Sequence, residues 1–169
     1  MTDRELRIRQ AARAIVLDPD DRILLVRWEF PRDGPTVHVW GTPGGGIEPD
    51  EELEVALRRE IDEELGLEAV TIGPLVWVRT HVIPFIDGRW DGQHDRFFLV
   101  RTPAFEPSPR LSREQLAAEH LMELRWWTQN ELAAFAPTDL EYFAPRRLVP
   151  LLADLLRDGP PATPVDTGR

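Results

Sequence analysis

The chain contains no cysteine among its 169 residues. Disulfide frameworks, thiolate metal sites and cysteine nucleophiles are therefore excluded. It also has no apolar run long enough to cross a bilayer, and its charged first residues, MTDRELRIRQ, do not resemble a signal peptide. We therefore expect a cytoplasmic protein with no membrane partner.

The chain also has fewer basic than acidic residues. The sequence has 20 Lys and Arg residues against 30 Asp and Glu residues, which gives a formal net charge of −10. Such a charge disfavours nonspecific binding to nucleic acid, so we expect no nucleic-acid partner. A small anionic substrate would need local help, for example from a bound divalent cation. Homodimerisation stays open.

Size and composition predict one folded domain. Hydrophobic residues make up 42% and charged residues 30% of the chain, which are ordinary values for a globular protein. We place a single domain at residues 1–157. The final segment, DGPPATPVDTGR at 158–169, is rich in turn-forming residues and is predicted to be a flexible tail.

Short runs of branched and aromatic residues predict several strands. The stretch ARAIVLDPDDRILLVRW indicates a hairpin around Asp18-Pro19-Asp20-Asp21, and residues 36–40 predict a brief strand. AVTIGPLVWVRTHVI and RFFLVRT predict strands on either side of a polar loop, IDGRWDGQHD, and ELRWWT predicts the last strand. Helices are expected at about residues 130–135 and in APRRLVPLLADLLR.

A longer helix is predicted from about Asp50 to Leu65. Its apolar residues recur at spacing four: Leu53, Leu57, Ile61 and Leu65. Asp50 is expected to cap the N-terminus, with Glu51 and Glu52 in the first turn, and Gly66 is expected to end the helix.

This helix carries an unusual density of negative charge. Glu60, Glu63 and Glu64 stand at i, i+3 and i+4, so their carboxylates share one face, and Arg59 can pair with Glu63 one turn on. Three oxygen ligands on one face suit Mg²⁺, which takes a few carboxylates together with waters and substrate phosphates. A solvated acidic surface is the alternative interpretation. The glycines at 44–46, directly before the helix, favour a ligand site.

The region from Gly45 to Leu67 resembles a known family. After Gly45 come five residues, Glu51, seven residues, Arg59-Glu60-Ile61, one residue, Glu63-Glu64, one residue and Gly66-Leu67. This spacing is similar to the Nudix box of the Nudix hydrolases at every defined position. The resemblance extends more loosely to about residue 135. It implies an α/β fold, an α/β/α sandwich with a mixed central sheet, and hydrolysis of a nucleoside diphosphate linked to another group.

The resemblance also implies roles for single residues. Glu60 and Glu64 are similar to the main ligands of Mg²⁺ or Mn²⁺, with Glu63 as a further ligand or a base and the Gly45 carbonyl as an additional ligand. Arg59 is similar to the arginine that orients these glutamates. The family's general base has no fixed position, so Glu119, with Glu123 close by in sequence, is a candidate carboxylate from outside the box.

The substrate is a small nucleotide whose identity the sequence leaves open. ADP-ribose-like compounds, nucleotide sugars and modified nucleoside triphosphates are the candidates, and Pro84 lies near a proline of ADP-ribose-specific members. Aromatic residues that can stack on a nucleobase are expected at four main positions: Trp28, Phe30, Phe85 and Trp90. Trp77 is a further candidate, although most tryptophans are expected in the core. His38, in a predicted strand, and His94, in the polar loop, are interpreted as packing or surface residues.

Three other activities are conceivable within the same fold. The family's isopentenyl diphosphate isomerases rely on a cysteine, which this chain does not have. RNA decapping is disfavoured by the negative charge. A non-catalytic nucleotide-binding or regulatory domain remains the alternative, although such domains usually have degraded boxes and this box is intact.

Overall fold

The structure, a computed structural model, describes residues 4–85 and 87–168. Nine strands lie within these ranges: β1 Ile8–Leu17, β2 Ile23–Phe30, β3 Val37–Gly41, β4 Gly44–Gly46, β5 Leu75–His81, β6 Gly92–Arg101, β7 Leu121–Trp127, β8 Glu141–Ala144 and β9 Val165–Asp166. The same ranges contain four helices: α1 Leu53–Leu65, α2 Arg113–Ala118, α3 Gln129–Ala134 and α4 Leu148–Asp158.

The strands form one mixed sheet that opens between β1 and β2. Its order is β8-β3-β2-β1-β6-β5-β9, with β4 added to β1 and β7 added to β2. β1 runs parallel to β6 along its whole length, but it meets β2 only at Leu17 and Ile23, next to the predicted turn. Further along, β1 pairs with β4 and β2 pairs with β7. The sheet therefore divides into two halves joined at the hairpin turn.

Helices cover both faces of the sheet. On one face, the predicted stripe of α1 buries Leu57, Ile61 and Leu65 against the small side chains of β1. On the other face, α4 buries its leucines in a larger core that contains Trp40, Trp77 and Trp127. The arrangement confirms the α/β/α sandwich with a mixed central sheet that the resemblance implies.

The beginning of α1 differs from the prediction. The helix starts at Leu53 with Glu52 at its N-cap, and no side chain caps it. Asp50 instead has a left-handed backbone with φ of 63°, so its predicted capping role is wrong. The reason is tertiary, because Glu51 turns back to accept hydrogen bonds from Arg59 and from the Glu48 amide. The predicted end is confirmed, since Gly66 closes the helix with φ of 70°.

Other differences concern elements with weak local signals. β6 begins at Gly92, so His94 lies in a strand rather than in the polar loop. Four elements, β4, α2, β8 and β9, were not predicted from the sequence. β9 lies inside the segment predicted as a tail and pairs with β5 at Trp77 and Val78. The flexibility of that segment stays a prediction, and its last residue, Arg169, lies outside the described residues.

Residues 4–85 and 87–168 include no helix with the length and apolarity that a membrane crossing requires.

Candidate active site

The glycine strand β4 brings the chain backbone against α1. A Cβ atom at Gly45 would come within 2.6 Å of Glu60 Oε1 and 2.8 Å of its carboxylate carbon. Only glycine therefore lets the Glu60 carboxylate lie against this backbone. Because β4 pairs with Ala11, Ala12 and Arg13 of β1, the carboxylate is held at the place where the sheet opens.

Arg59 links the acidic residues of the motif to one another. Its guanidinium donates to both carboxylate oxygens of Glu51, at 2.8 and 3.0 Å, and to the Gly46 carbonyl at 3.2 Å. Its Nη1 donates to Glu60 at 2.9 Å and to Glu63 at 3.3 Å. The hydrogen bond from Arg59 is the main reason that the pKa of Glu51 is lowered to about 2. Arg59 is therefore placed to orient the glutamates, as the resemblance implies.

Glu64 is the most enclosed carboxylate of the cluster. It is only 2% exposed, and one of its oxygens accepts a hydrogen bond from the Gly44 amide at 3.0 Å. Burial, and after it the charge of Glu60, raises the pKa of Glu64 to about 8. Burial also raises the pKa of Glu60, against the opposing effect of Arg59. The protein alone thus compensates the ionised forms of these two adjacent carboxylates only in part.

A further carboxylate approaches from α2. Glu119 follows that helix, whose N-terminus is fixed by a capping box between Ser112 and Gln115. Partial burial and the nearby charge of Glu63 raise the pKa of Glu119, and Glu119 in turn adds to the raised pKa of Glu64. Glu119 therefore faces the acidic cluster. Glu123 instead lies on β7 and pairs with Arg27 at 3.3 Å.

The carboxylates do not form a ready-made metal cluster. Among the described residues, no three Asp, Glu or His side chains converge closely enough to hold an ion by themselves. Glu60 and Glu63 point to Arg59, whereas Glu64 accepts from Gly44. The donor set nevertheless fits a hard divalent cation, because Mg²⁺ is usually held by one or two carboxylates and completed by waters and substrate phosphates. Burial raises the pKa values of Glu60 and Glu64, and a cation bound beside them would stabilise their ionised forms.

Next to the acidic residues lies a set of cationic side chains for which no role was predicted from the sequence. We call Arg9, Arg13 and Arg79 the arginine cluster. Parallel pairing of β1 with β6 and antiparallel pairing of β5 with β6 bring these residues to one face, around Asp95. The alternation Arg9-Ala11-Arg13 was a visible signal of a shared strand face. Its partners on β5 and β6 are set by register, which the sequence did not reveal.

Asp95 bonds two residues of the arginine cluster directly, and Gln93 links Arg9 to it. Its side chain is 0% exposed and accepts from Arg13 Nε at 3.0 Å, from Arg79 Nη2 at 2.9 Å and from Gln93 Nε2 at 2.7 Å. Burial alone would raise the pKa of Asp95, but the charges of Arg13 and Arg79 hold it at about 2. The carboxylate is therefore ionised and shared between two arginines.

One residue, Gly44, joins the arginine cluster to the acidic residues. The Gly44 amide donates to Glu64 at 3.0 Å, and the Gly44 carbonyl accepts from Arg13 Nη1 at 2.8 Å. Cationic and anionic side chains thus meet at β4. A substrate with several phosphates can contact both groups at once.

The four predicted stacking residues make different contacts. The Arg9 guanidinium carbon lies 5.6 Å from the Phe85 ring centroid, and that of Arg13 lies 5.2 Å from the Trp28 ring. The Phe30 ring packs at 5.5 Å from His120, directly after Glu119. The backbone carbonyl of Trp90 accepts from the Phe85 amide at 2.9 Å.

Three aromatic or imidazole side chains have other surroundings. Trp77 is 2% exposed and lies in the core, so the expectation that it could stack on a nucleobase is wrong. His38 lies 3.4 Å from Glu29, and His94 contacts the Thr80 hydroxyl at 2.7 Å. Both contacts agree with packing or surface roles.

Comparison with known proteins identifies the family. Residues 7–152 match the family described as NUDIX domain. An RNA pyrophosphohydrolase from Gluconacetobacter diazotrophicus is 32% identical over 68% of this chain and 75% of its own. A CTP pyrophosphohydrolase from Escherichia coli is 41% identical over 37% of this chain and 44% of its own, so that match spans less than half of the relative. The NUDIX domain of Shewanella oneidensis NrtR, complexed with ADP ribose, superimposes with a TM-score of 0.61 at 16% identity over 90% of both chains.

The chain belongs to the Nudix family, because the family match covers most of its length and includes both the sheet and the acidic helix. It is a hydrolase acting on pyrophosphate bonds.

Proposed function

We propose that this protein is a divalent-metal-dependent hydrolase that cleaves the pyrophosphate linkage of a nucleoside diphosphate derivative. The observation that carries the proposal is that buried Glu64 and Arg13 of the arginine cluster both contact Gly44, with buried Glu60 against the next residue, Gly45. The candidate substrates are ADP-ribose-like compounds, nucleotide sugars and modified nucleoside triphosphates. The name of the E. coli relative supports a nucleotide substrate of the triphosphate kind.

Glu60 and Glu64 are the residues that would hold Mg²⁺ or Mn²⁺, with Glu63 and the Gly45 carbonyl as additional ligands. When bound, the ion would stabilise charge on the phosphate oxygens and lower the cost of deprotonating the attacking water. Arg59 keeps Glu60 and Glu63 in place through its hydrogen bonds. Glu51 in turn fixes Arg59 by a bidentate pair.

The general base is proposed among the less buried carboxylates. Glu63 is about one-third exposed, and the pKa of Glu119 is raised by partial burial and by Glu63. A carboxylate with a raised pKa accepts a proton more readily than an ordinary one. Glu119 is a candidate for this reason, Glu63 is a candidate because of its exposure, and Glu64 is a third candidate if it does not bind the ion.

The nucleobase is proposed to stack on the aromatic residues at the edge of the site. Phe85 and Trp28 lie beside Arg9 and Arg13, while Phe30 lies beside His120. Trp90 is the fourth candidate. A planar base between such rings gains apolar contact while its phosphates reach the charged groups.

A nucleotide-binding domain without catalysis is the alternative function. The NUDIX domain of NrtR is complexed with ADP ribose in its structure and shares the fold. The hydrolase is favoured by the intact motif, in which Arg59 donates to Glu60 and Glu63 while Glu64 accepts from the Gly44 amide. The cytoplasmic location, the absence of nucleic-acid partners and a homodimer remain predictions.

The proposal is tested by assaying a substrate panel in oxygen-18 water with Mg²⁺ or Mn²⁺. The panel contains ADP-ribose, nucleotide sugars, dinucleoside polyphosphates, and normal and oxidised nucleoside triphosphates. We expect cleavage inside a pyrophosphate linkage, label in a phosphate-containing product, and loss of turnover after chelation. Turnover that survives exhaustive metal removal would contradict the metal site.

Matched variants connect this activity to the acidic cluster. Glu60→Gln should weaken metal binding in isothermal titration and reduce turnover. Glu54→Gln is the control, because Glu54 lies on the same helix but is 64% exposed and pairs with Arg58. Tight ligand binding without cleavage of any pyrophosphate would favour the non-catalytic domain.

A further inference from the structure

The arginine cluster has one directly bonded carboxylate, Asp95, for its three positive charges. Its other acceptors, Gln93 and the Gly44 carbonyl, are neutral. The charge of Glu60 also acts on two of the arginines, although no hydrogen bond joins them within the described ranges. A phosphate can therefore add a directly bonded anionic partner to these guanidiniums.

The guanidiniums are held in position yet keep unused hydrogen-bond donors. Arg13 uses Nε for Asp95 and Nη1 for Gly44, and Arg79 uses Nε and Nη2 for Asp95. Within the described ranges, the structure gives no acceptor to Arg13 Nη2 or Arg79 Nη1. Both side chains remain 14% exposed. Fixed guanidiniums with free N–H groups suit phosphate, which accepts hydrogen bonds from two directions.

Two buried polar atoms beside the cluster also lack a partner. The Thr42 hydroxyl, on a residue that is 1% exposed, and His81 Nε2 have no hydrogen bond among the residues that the structure describes. A cavity of about 20 Å³ lies at Arg13, Arg79 and Thr42. Native proteins seldom leave such groups unsatisfied, but a cavity of this size has room for about one water molecule, so we expect a phosphate at the exposed N–H groups of the cluster rather than inside the cavity.

We propose that the arginine cluster binds the terminal phosphate of a nucleoside triphosphate and thereby selects triphosphates over substrates whose phosphates are both in ester or anhydride linkage. This inference rests on the proposed function. A terminal phosphate group has nearly two negative charges at neutral pH and three oxygens that accept hydrogen bonds, which suits the unused N–H groups of Arg13 and Arg79. ADP-ribose and nucleotide sugars place a neutral sugar beyond the diphosphate, which would leave these donors without an anionic acceptor.

The position of the cluster agrees with this assignment. Arg13 contacts the carbonyl of Gly44, and Glu64 contacts the amide of the same residue. One phosphate can therefore lie at the acidic residues while the next lies at the arginines. Asp95 acts as a positioning residue, since it contacts Arg13 and Arg79 from within the protein.

The test compares Arg79→Gln and Arg9→Gln with the control Arg96→Gln. Arg96 lies next to Asp95 in β6, but its side chain is on the opposite face and donates to Gln10 at 2.7 Å. Steady-state kinetics with Mg²⁺ are measured for a nucleoside triphosphate and for ADP-ribose. We expect Arg79→Gln to raise KM for the triphosphate by roughly tenfold or more, with kcat/KM for ADP-ribose changed by less than about twofold.

A binding measurement checks the same site without turnover. Isothermal titration with inorganic pyrophosphate, in the presence of a chelator, should show binding to the wild type and to Arg96→Gln. The affinity should fall by roughly tenfold in Arg79→Gln and also fall in Arg9→Gln. Thermal denaturation of each variant identifies any loss of fold, and Arg9→Gln serves if Arg79→Gln does not fold, because Arg9 has fewer buried partners.

The outcomes that contradict the two proposals are distinct. Equal losses for triphosphate and ADP-ribose, or no loss for either, in folded variants would overturn the terminal-phosphate site and leave the hydrolase proposal intact. Unchanged pyrophosphate binding in folded Arg79→Gln and Arg9→Gln would do the same. If the wild type cleaves no pyrophosphate substrate, the proposed function fails, and the titration still decides whether the cluster binds phosphate.

Discussion

Glu64 occupies an environment that is unfavourable for a carboxylate by itself. It is almost fully buried, its one hydrogen bond in the described chain comes from the Gly44 amide, and Glu60 lies close by. Burial of a charge without a full set of partners costs stability unless another group compensates it. A residue in such a position is more easily explained by function than by folding.

Replacement of Glu64 by Gln should therefore separate activity from stability. The neutral amide can still accept from Gly44, and it removes the cost of ionising a buried carboxylate beside Glu60. We expect kcat to fall by roughly two orders of magnitude or more, while the thermal midpoint stays equal or rises. Kinetics with Mg²⁺ and thermal denaturation of the same preparation measure both. A much lower midpoint would make Glu64 a structural residue.

At the scale of elements, the end of α1 is fixed by a glycine in close contact with another loop. Gly66 has φ of 70°, its amide donates to Asp62, and a Cβ there would collide with the Ser108 carbonyl oxygen. Ser108 itself donates through its amide to the carbonyl of Leu65. The helix that holds the glutamates is thus tied to the segment leading to α2.

Gly66→Ala should destabilise the protein by more than the usual cost of a left-handed alanine, which is about 1 kcal/mol. Gly88→Ala is the control, because Gly88 has φ of 68°, but a Cβ added there would meet no atom within 4 Å. Denaturant unfolding of both variants gives the difference. Equal losses would show that the contact with Ser108 adds nothing.

The two ends of α1 show what the sequence could and could not predict. Spacing four from Leu53 to Leu65 and the terminal Gly66 are local signals, and both are confirmed. The Asp50 cap is wrong because a side-chain contact between residues eight positions apart, from Arg59 to Glu51, determines the approach of the chain. α2 had a local signal in its capping box, Ser112 to Gln115, from which no helix was predicted.

The site shows the same division. The grouping of Glu60, Glu63 and Glu64 around Arg59 follows from helical spacing and was predictable. The arginine cluster required the register of β1, β5 and β6, which brings Arg13 to Asp95, 82 positions away, and Arg79 to the same residue, 16 positions away. A hydrophobic or charge pattern within one segment does not determine such pairings.

At the scale of the whole molecule, the net charge bears on substrate length. The excess of ten negative charges repels a nucleic-acid backbone, although the relative from G. diazotrophicus is named an RNA pyrophosphohydrolase. The arginine cluster is one small site of positive charge. The phosphates of a single nucleotide are enough to occupy it.

We therefore expect no advantage for a longer nucleotide chain. The kcat/KM for a short RNA with a 5′-triphosphate should not exceed that for the free nucleoside triphosphate, at low or at physiological salt. Parallel assays at both salt concentrations measure this. A large preference for RNA that grows as salt is lowered would show a nucleic-acid surface and contradict the expectation.

Asp95 also sets the acid tolerance of the surface built on it. Because its pKa is held at about 2, below the ordinary 3.8, its ion pairs with Arg13 and Arg79 contribute stability that is complete above about pH 4. That contribution is lost only as the pH falls through about 2. The geometry of the arginine cluster is therefore independent of proton concentration in every mildly acidic or neutral medium, and it ties β1, β5 and β6 together under all of these conditions.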